Sequence, residues 1–172
     1  MSQVPPLVRI PVGIVAERRR AKSQWIDFVW RPVSALAGVP DTAPWTRLAG
    51  NDELATYYVG GAEVELFPSE TGNYRDNLAN DTPQLWVVLR PTGADPPYNL
   101  VMVTADPAEG EGYTQTGSDL VDPVPMPESF IDTIAAFIEV HHVERVFFKR
   151  KRTRVDPEAM APRGPARKDR GK

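Results

Sequence analysis

The sequence predicts an α+β domain: a mostly antiparallel β-sheet of about six strands, rolled or partly open as a barrel, one packed C-terminal amphipathic helix, and a disordered basic tail. Three observations predict it. Apolar residues recur with period two through most of the chain, one late segment switches to helical spacing, and the composition turns to Arg, Lys, Pro, Gly and Ala after Phe148. The expected boundaries are a flexible tip at 1–6, a single domain at 7–148 and a tail at 149–172.

The elements follow in order. Val8, Ile10, Val12, Ile14 and Ala16 alternate with other residues and give a first strand with one buried face; Pro11 marks it as an edge or bulged strand. "QWIDFVWRPV" places Ile26, Phe28 and Trp30 on one face of a second strand ending near Pro32. "LATYYV" and "AEVELF" read as a hairpin joined by Gly60-Gly61, with Glu63 and Glu65 outward and Ala62, Val64 and Leu66 inward. "PSETGNYRDNLANDTP" reads as an ordered surface loop with room for one helical turn near Tyr74 to Leu78. "QLWVVLR" and "NLVMVT" are expected at the sheet centre, and "ADPAEGEGYTQTGSDLVDPVPMP" is expected to be mainly connection. A helix begins at Pro127, with Glu128 and Asp132 near the positive end of its dipole. Its apolar stripe is Phe130, Ile131, Ile134, Phe137 and Ile138.

A chain of 172 residues suits one domain, which at this size buries roughly 70% of its unfolded surface. It contains no cysteine, which excludes disulfides, thiolate metal sites and cysteine nucleophiles. Neither a signal-peptide pattern nor a membrane-spanning apolar run is visible, so the expectation is a cytoplasmic protein with no membrane contact.

The net charge of −3 hides an asymmetry. Residues 149–172 hold ten Lys or Arg and three Asp or Glu, or +7, whereas the rest holds ten basic and twenty acidic residues, or −10. An acidic body with a basic arm suggests an interaction tail. Within the body, Arg18, Arg19, Arg20 and Lys22 form a second basic cluster.

Candidate sites are few. In "HHVERVFFKRKR", His141 extends the helix stripe while His142 points about 100° away, so the pair does not converge on one metal and reads as helix-end imidazoles near the last carbonyls. Phe147 and Phe148 are either core residues or anchors, and Lys149, Arg150, Lys151 and Arg152 are candidate partner-binding cations. Glu70, Tyr74, Arg75 and Asn77 make the densest polar cluster outside the tail. Asx turns and an Arg-carboxylate pair account for it, while general acid-base chemistry by Glu70 and Asp76 would need a cleft. No glycine pattern matches a P-loop or dinucleotide fingerprint. The sequence thus predicts no catalytic residue, no cofactor and no metal.

Several stretches, "RIPVGIVAERR", "QWIDFVWRPV", "ETGNYRDNL", "QLWVVLRP", "VTADPAEGEGYTQTGSDLVDPVPMPE" and "HHVERVFFKRKR", in this order resemble an uncharacterised proteobacterial family, domain of unknown function 3305 (DUF3305), over residues 8–152. The resemblance implies no activity and supplies no catalytic residues. It implies a context beside formate dehydrogenase and other molybdoenzyme components; some similar proteins are described as molybdopterin-guanine dinucleotide synthesis proteins. The residues do not fit that transferase: the first strand runs into "ERRRAKSQW", without a glycine to approach a phosphate, and the strand-helix alternation of a nucleotide-binding fold is missing.

Three functions follow as expectations. The first is a non-enzymatic accessory protein presenting "FFKRKR" and its arm to an acidic protein partner, by family context a formate dehydrogenase or molybdoenzyme component. The second is an anion-binding or catalytic domain using the Glu70 to Asn77 segment with Arg31 or Arg90. The third is nucleic-acid binding through the tail, against which the acidic body argues by repulsion.

Overall fold

The computed structural model describes residues 4–144. The chain divides into Met1–His142 and Val143–Lys172. The described sheets and helices all belong to the first unit, and the second lies, beyond its first two residues, outside the described part. The expectations for Phe147, Phe148, Lys149 to Arg152 and the disordered tail therefore fall outside the described residues.

The first unit is α+β, with two open antiparallel sheets and three α-helices. One sheet has the order β2-β1-β4-β3, from β1 (Val8–Arg20), β2 (Phe28–Ala37), β3 (Thr46–Gly50) and β4 (Leu54–Leu66). The other has the order β6-β5-β7, from β5 (Gln84–Pro91), β6 (Tyr98–Thr104) and β7 (Leu120–Pro125). The helices are α1 (Thr71–Leu78), α2 (Pro107–Thr114) and α3 (Glu128–His141).

The two sheets come together where β4 nears β6 and β2 nears β7, and between them they enclose one core. Val12, Ile14, Ala16, Val59, Val64 and Leu66 meet Leu85, Val87, Leu89, Val103 and Val124 in one core. Phe130, Ile134 and Phe137 of α3 extend that core, with Ile131 and Ile138 packed at its margin, as the helical spacing predicts. Each such side chain contributes roughly 1.5–3 kcal/mol relative to exposure.

β6 is an edge strand of its sheet, where the sheet centre was expected, and the structure departs from the sequence reading at four further places. Gly60-Gly61 does not close a hairpin: both lie inside β4, a single 13-residue strand running antiparallel to β1 from Leu54↔Arg19 to Leu66↔Val8. The register shifts opposite Ile14/Val15, so the glycines mark a bulge. Gly60 has φ +147, and a Cβ on Gly61 would sit 2.7 Å from the Val39 side chain. Here glycine lets the loop before β3 lie across the strand.

Second, β1 is central, between β2 and β4, and accommodates Pro11 because its pairing with β2 begins only at Gly13. β2 likewise continues past Pro32, with a register shift opposite Val15/Ala16. Third, "PSETGNYRDNL" folds into a 3₁₀ turn at Pro68–Glu70 and the two-turn helix α1. Fourth, the segment read as connection contains α2 and β7. Asp106 caps α2, its side chain accepting from the Ala108 and Glu109 N–H groups, and Pro107 stands in the first turn.

Candidate functional site

The polar cluster of "ETGNYRDNL" is divided by the helix it forms. Thr71, Tyr74 and Asn77 recur every three residues and turn inward; Arg75 and Asp76 are exposed. Asn77, 1% exposed, holds the ends of two strands: Nδ2 donates to Gln84 O (2.8 Å) and Ala105 O (2.9 Å), and Oδ1 accepts from Gln84 N (3.0 Å). Tyr74 packs edge-on against Phe137, and its hydroxyl accepts from Phe67 N at 3.1 Å. Burial pushes its phenol up to about 12, against the opposing effect of that hydrogen bond; the negative charges of Asp106, Glu109 and Glu70 add to the rise.

Glu70 belongs to a different arrangement. Asn73 Nδ2 lies 3.3 Å from Glu70 Oε2 and 3.0 Å from Asp106 Oδ2, joining α1 to the cap of α2. Thr104 Oγ1 donates to Glu109 Oε2 (2.6 Å) and accepts from Asp106 N (3.1 Å). Glu70, Asn73, Asp106 and Glu109 border an open groove of about 890 Å³, whose walls include Pro5, Pro6, Phe67, Met102 and Tyr113. Glu65, Glu70, Asp106 and Glu109 give it four carboxylates against one guanidinium, Arg9, which pairs with Glu65 at 3.3 Å. The groove is therefore electronegative and partly apolar, suited to a cationic surface with an apolar centre. Among the described residues, no group of three His, Asp or Glu is arranged to hold a metal ion.

The guanidiniums expected to bind an anion beside Glu70 are engaged elsewhere. Arg90 makes a two-pronged contact with Asp119, Nε to Oδ1 at 2.9 Å and Nη2 to Oδ2 at 2.8 Å, and that hydrogen bonding draws the Asp119 carboxyl below its ordinary value. Arg31 lies 3.5 Å from Glu17 across the β1/β2 pair. Neither lines the groove. At the end of α3, His141 packs at a tilt against Phe137 (4.5 Å between centroids), while His142 Nδ1 sits 3.0 Å from Thr71 Oγ1. The two imidazoles do diverge.

The basic cluster of the body occupies the β1–β2 hairpin. Arg18 is half-buried, its guanidinium 4.2 Å from the Phe28 ring centroid and 5.5 Å from that of Tyr57. Arg19 pairs with Glu17 at 3.2 Å and Arg20 with Glu53 at 3.8 Å. At the tip, Trp25 is 86% exposed and Ile26 54%. Sequence reasoning placed Ile26 on a face of the second strand with Phe28 and Trp30, whereas β2 begins only at Phe28, and it passed over Trp25, Asn73, Asp106 and Glu109. The polar run "AKSQ" ahead of Trp25 was the signal that this indole stands in a turn.

The family model described as "Protein of unknown function (DUF3305)" matches residues 11–152, and the chain belongs to that family. No curated protein and no solved structure shows a significant match. No helix among the described residues is long and apolar enough to cross a membrane.

Proposed function

We propose that this chain is a non-enzymatic accessory protein that engages an acidic protein partner through its basic C-terminal arm. The observation that carries the reading is the segregation of charge: ten cations fall within residues 149–172 of a chain whose remainder carries −10. Like charges side by side in Lys149 to Arg152 repel and add little to folding, whereas they speed encounter with an acidic surface. Phe147 and Phe148 add apolar anchoring area beside them. The fate of the polar cluster supports the same reading, since Tyr74 and Asn77 are spent on holding strands and helices together. The family context supplies the proposed partner, a formate dehydrogenase or other molybdoenzyme component.

The test is affinity capture from the native host with the full chain and with a version in which Lys149, Arg150, Lys151 and Arg152 are all changed to Glu. Molybdoenzyme components retained by the first and lost by the second support the proposal. Equal retention by both removes the arm from the interaction, and retention of no protein by either overturns the accessory role.

A further inference from the structure

The hairpin tip and the acidic groove lie at opposite ends of the same strand. Arg9 lines the groove and Arg20 begins the turn, eleven residues apart on β1, which at about 3.3 Å per residue separates them by roughly 35 Å. One copy of the domain cannot bring the two together, but two copies placed end to end can.

The two surfaces are complementary in charge and each has an apolar part. The tip has Trp25 and Ile26 exposed and Val29 half-exposed beside them. Residues 17–27 hold four cations, Arg18, Arg19, Arg20 and Lys22, against two carboxylates, Glu17 and Asp27. The pairs Arg19–Glu17 and Arg20–Glu53 are solvent-exposed on the arginine side, and such pairs cost little to exchange for new partners. The groove is concave, of about 890 Å³, with Phe67, Met102, Tyr113 and two prolines as apolar walls and four carboxylates against Arg9. Tryptophan and arginine are among the residues enriched where binding energy concentrates, and the tip offers both to a groove with apolar walls and a carboxylate rim.

We propose that this chain self-associates head to tail, the Trp25–Ile26 tip of one copy seated in the Glu65/Glu70/Asp106/Glu109 groove of the next. Donor and acceptor surfaces differ, so each copy offers one of each, and association continues beyond a dimer into a ring or an open filament.

Sedimentation velocity of the full-length chain tests this, with circular dichroism confirming that each variant is folded. The wild type should show reversible, concentration-dependent growth past dimer, weakened by salt. Trp25→Ser, which removes an exposed side chain, and the double change Glu65→Lys, Glu70→Lys should each weaken self-association by about thirty-fold or more, the loss expected of a buried anchor. Mixed one to one, Trp25→Ser keeps its groove and the double variant keeps its tip, so the pair should form a heterodimer and nothing larger. Reversal of Lys149 to Arg152 should leave association intact. A wild type that stays monomeric at its highest soluble concentration overturns the proposal. So does a Trp25→Ser variant that associates like the wild type, a mixture that stays monomeric, or association that vanishes with the arm charges instead.

Discussion

His142 Nδ1 and Thr71 Oγ1 lie 3.0 Å apart, joining residues 71 positions apart in sequence and fastening the end of α3 to the start of α1. Thr71 already donates its one hydroxyl hydrogen to Pro68 O at 3.1 Å. With its hydroxyl hydrogen turned to Pro68 O, Thr71 Oγ1 is placed to accept from the His142 Nδ1–H group. The histidine pair thus ends a helix by a side-chain hydrogen bond and a ring contact.

Replacing Thr71 with Val removes the acceptor while keeping the side-chain shape. The variant should lose about 1 kcal/mol, seen as a lower urea midpoint with an unchanged slope. Thr71→Ser, which restores the oxygen, should recover most of it. An unchanged midpoint in Thr71→Val would show that the contact contributes nothing to stability.

Asn77 should be among the costliest polar positions. Asn77→Ala leaves Gln84 N, Gln84 O and Ala105 O without their side-chain partner, and a loss of roughly 3 kcal/mol is expected from denaturant unfolding. Asn77→Asp should be worse at neutral pH, because it sets a carboxylate against two carbonyl oxygens. That carboxyl is favoured in its protonated form on folding, so the deficit of Asn77→Asp should shrink as pH falls.

Gly110 of α2 faces Trp86 so closely that a Cβ would lie 2.3 Å from the indole Cγ. Gly110→Ala should push helix and ring apart and cost about 1–3 kcal/mol despite the better helix propensity of alanine. A changed near-ultraviolet circular dichroism signal should accompany the loss; Gly112→Ala, where the same atom meets nothing within 4 Å, should show neither effect.

Tyr74 makes alkaline stability measurable at one residue. Its phenol ionises near 10 in an unfolded chain and at about 12 in the folded one. Between those values the unfolded chain has released a proton that the folded chain keeps, so the stabilisation is complete below pH 10 and lost as pH approaches 12. The urea midpoint of the wild type should fall across that window more steeply than that of Tyr74→Phe. Some slope should remain in the variant, because burial also raises the Tyr58 phenol.

Elements whose burial is apolar were legible in the sequence, and those held by polar groups were not. Period two located β1 and the outward Glu63, and the stripe from Phe130 to Ile138 located α3, because in each the buried face is hydrocarbon. Helix α1 buries Thr71, Tyr74 and Asn77, a face that no hydrophobic pattern reveals. Helix α2 did carry a start signal, Asp106 followed by Pro107 and then Glu109, but Gly110 and Gly112 resembled breakers. Gly110 is there because Trp86 leaves no room for a side chain. Gly60-Gly61 misled for the opposite reason: a glycine pair serves a bulge under a crossing loop as well as a turn, and only the position of Val39 distinguishes them. Of the candidate site, Glu70 was found and its neighbours Asp106 and Glu109 were not, since they come from a segment 36 residues further along.

The placement of β1 between β2 and β4 sets a schedule for synthesis. β1 can pair with β2 once Ala37 has emerged, but its other edge waits for Leu54 to Leu66, with Val8 opposite Leu66. At about 5–20 residues per second, the interval between completing β1 and completing β4 lasts a few seconds. During that interval a strand bearing Val12, Ile14 and Val15 shows an unpaired edge to whatever surrounds the ribosome, and a chaperone that shields extended apolar segments would find its target there.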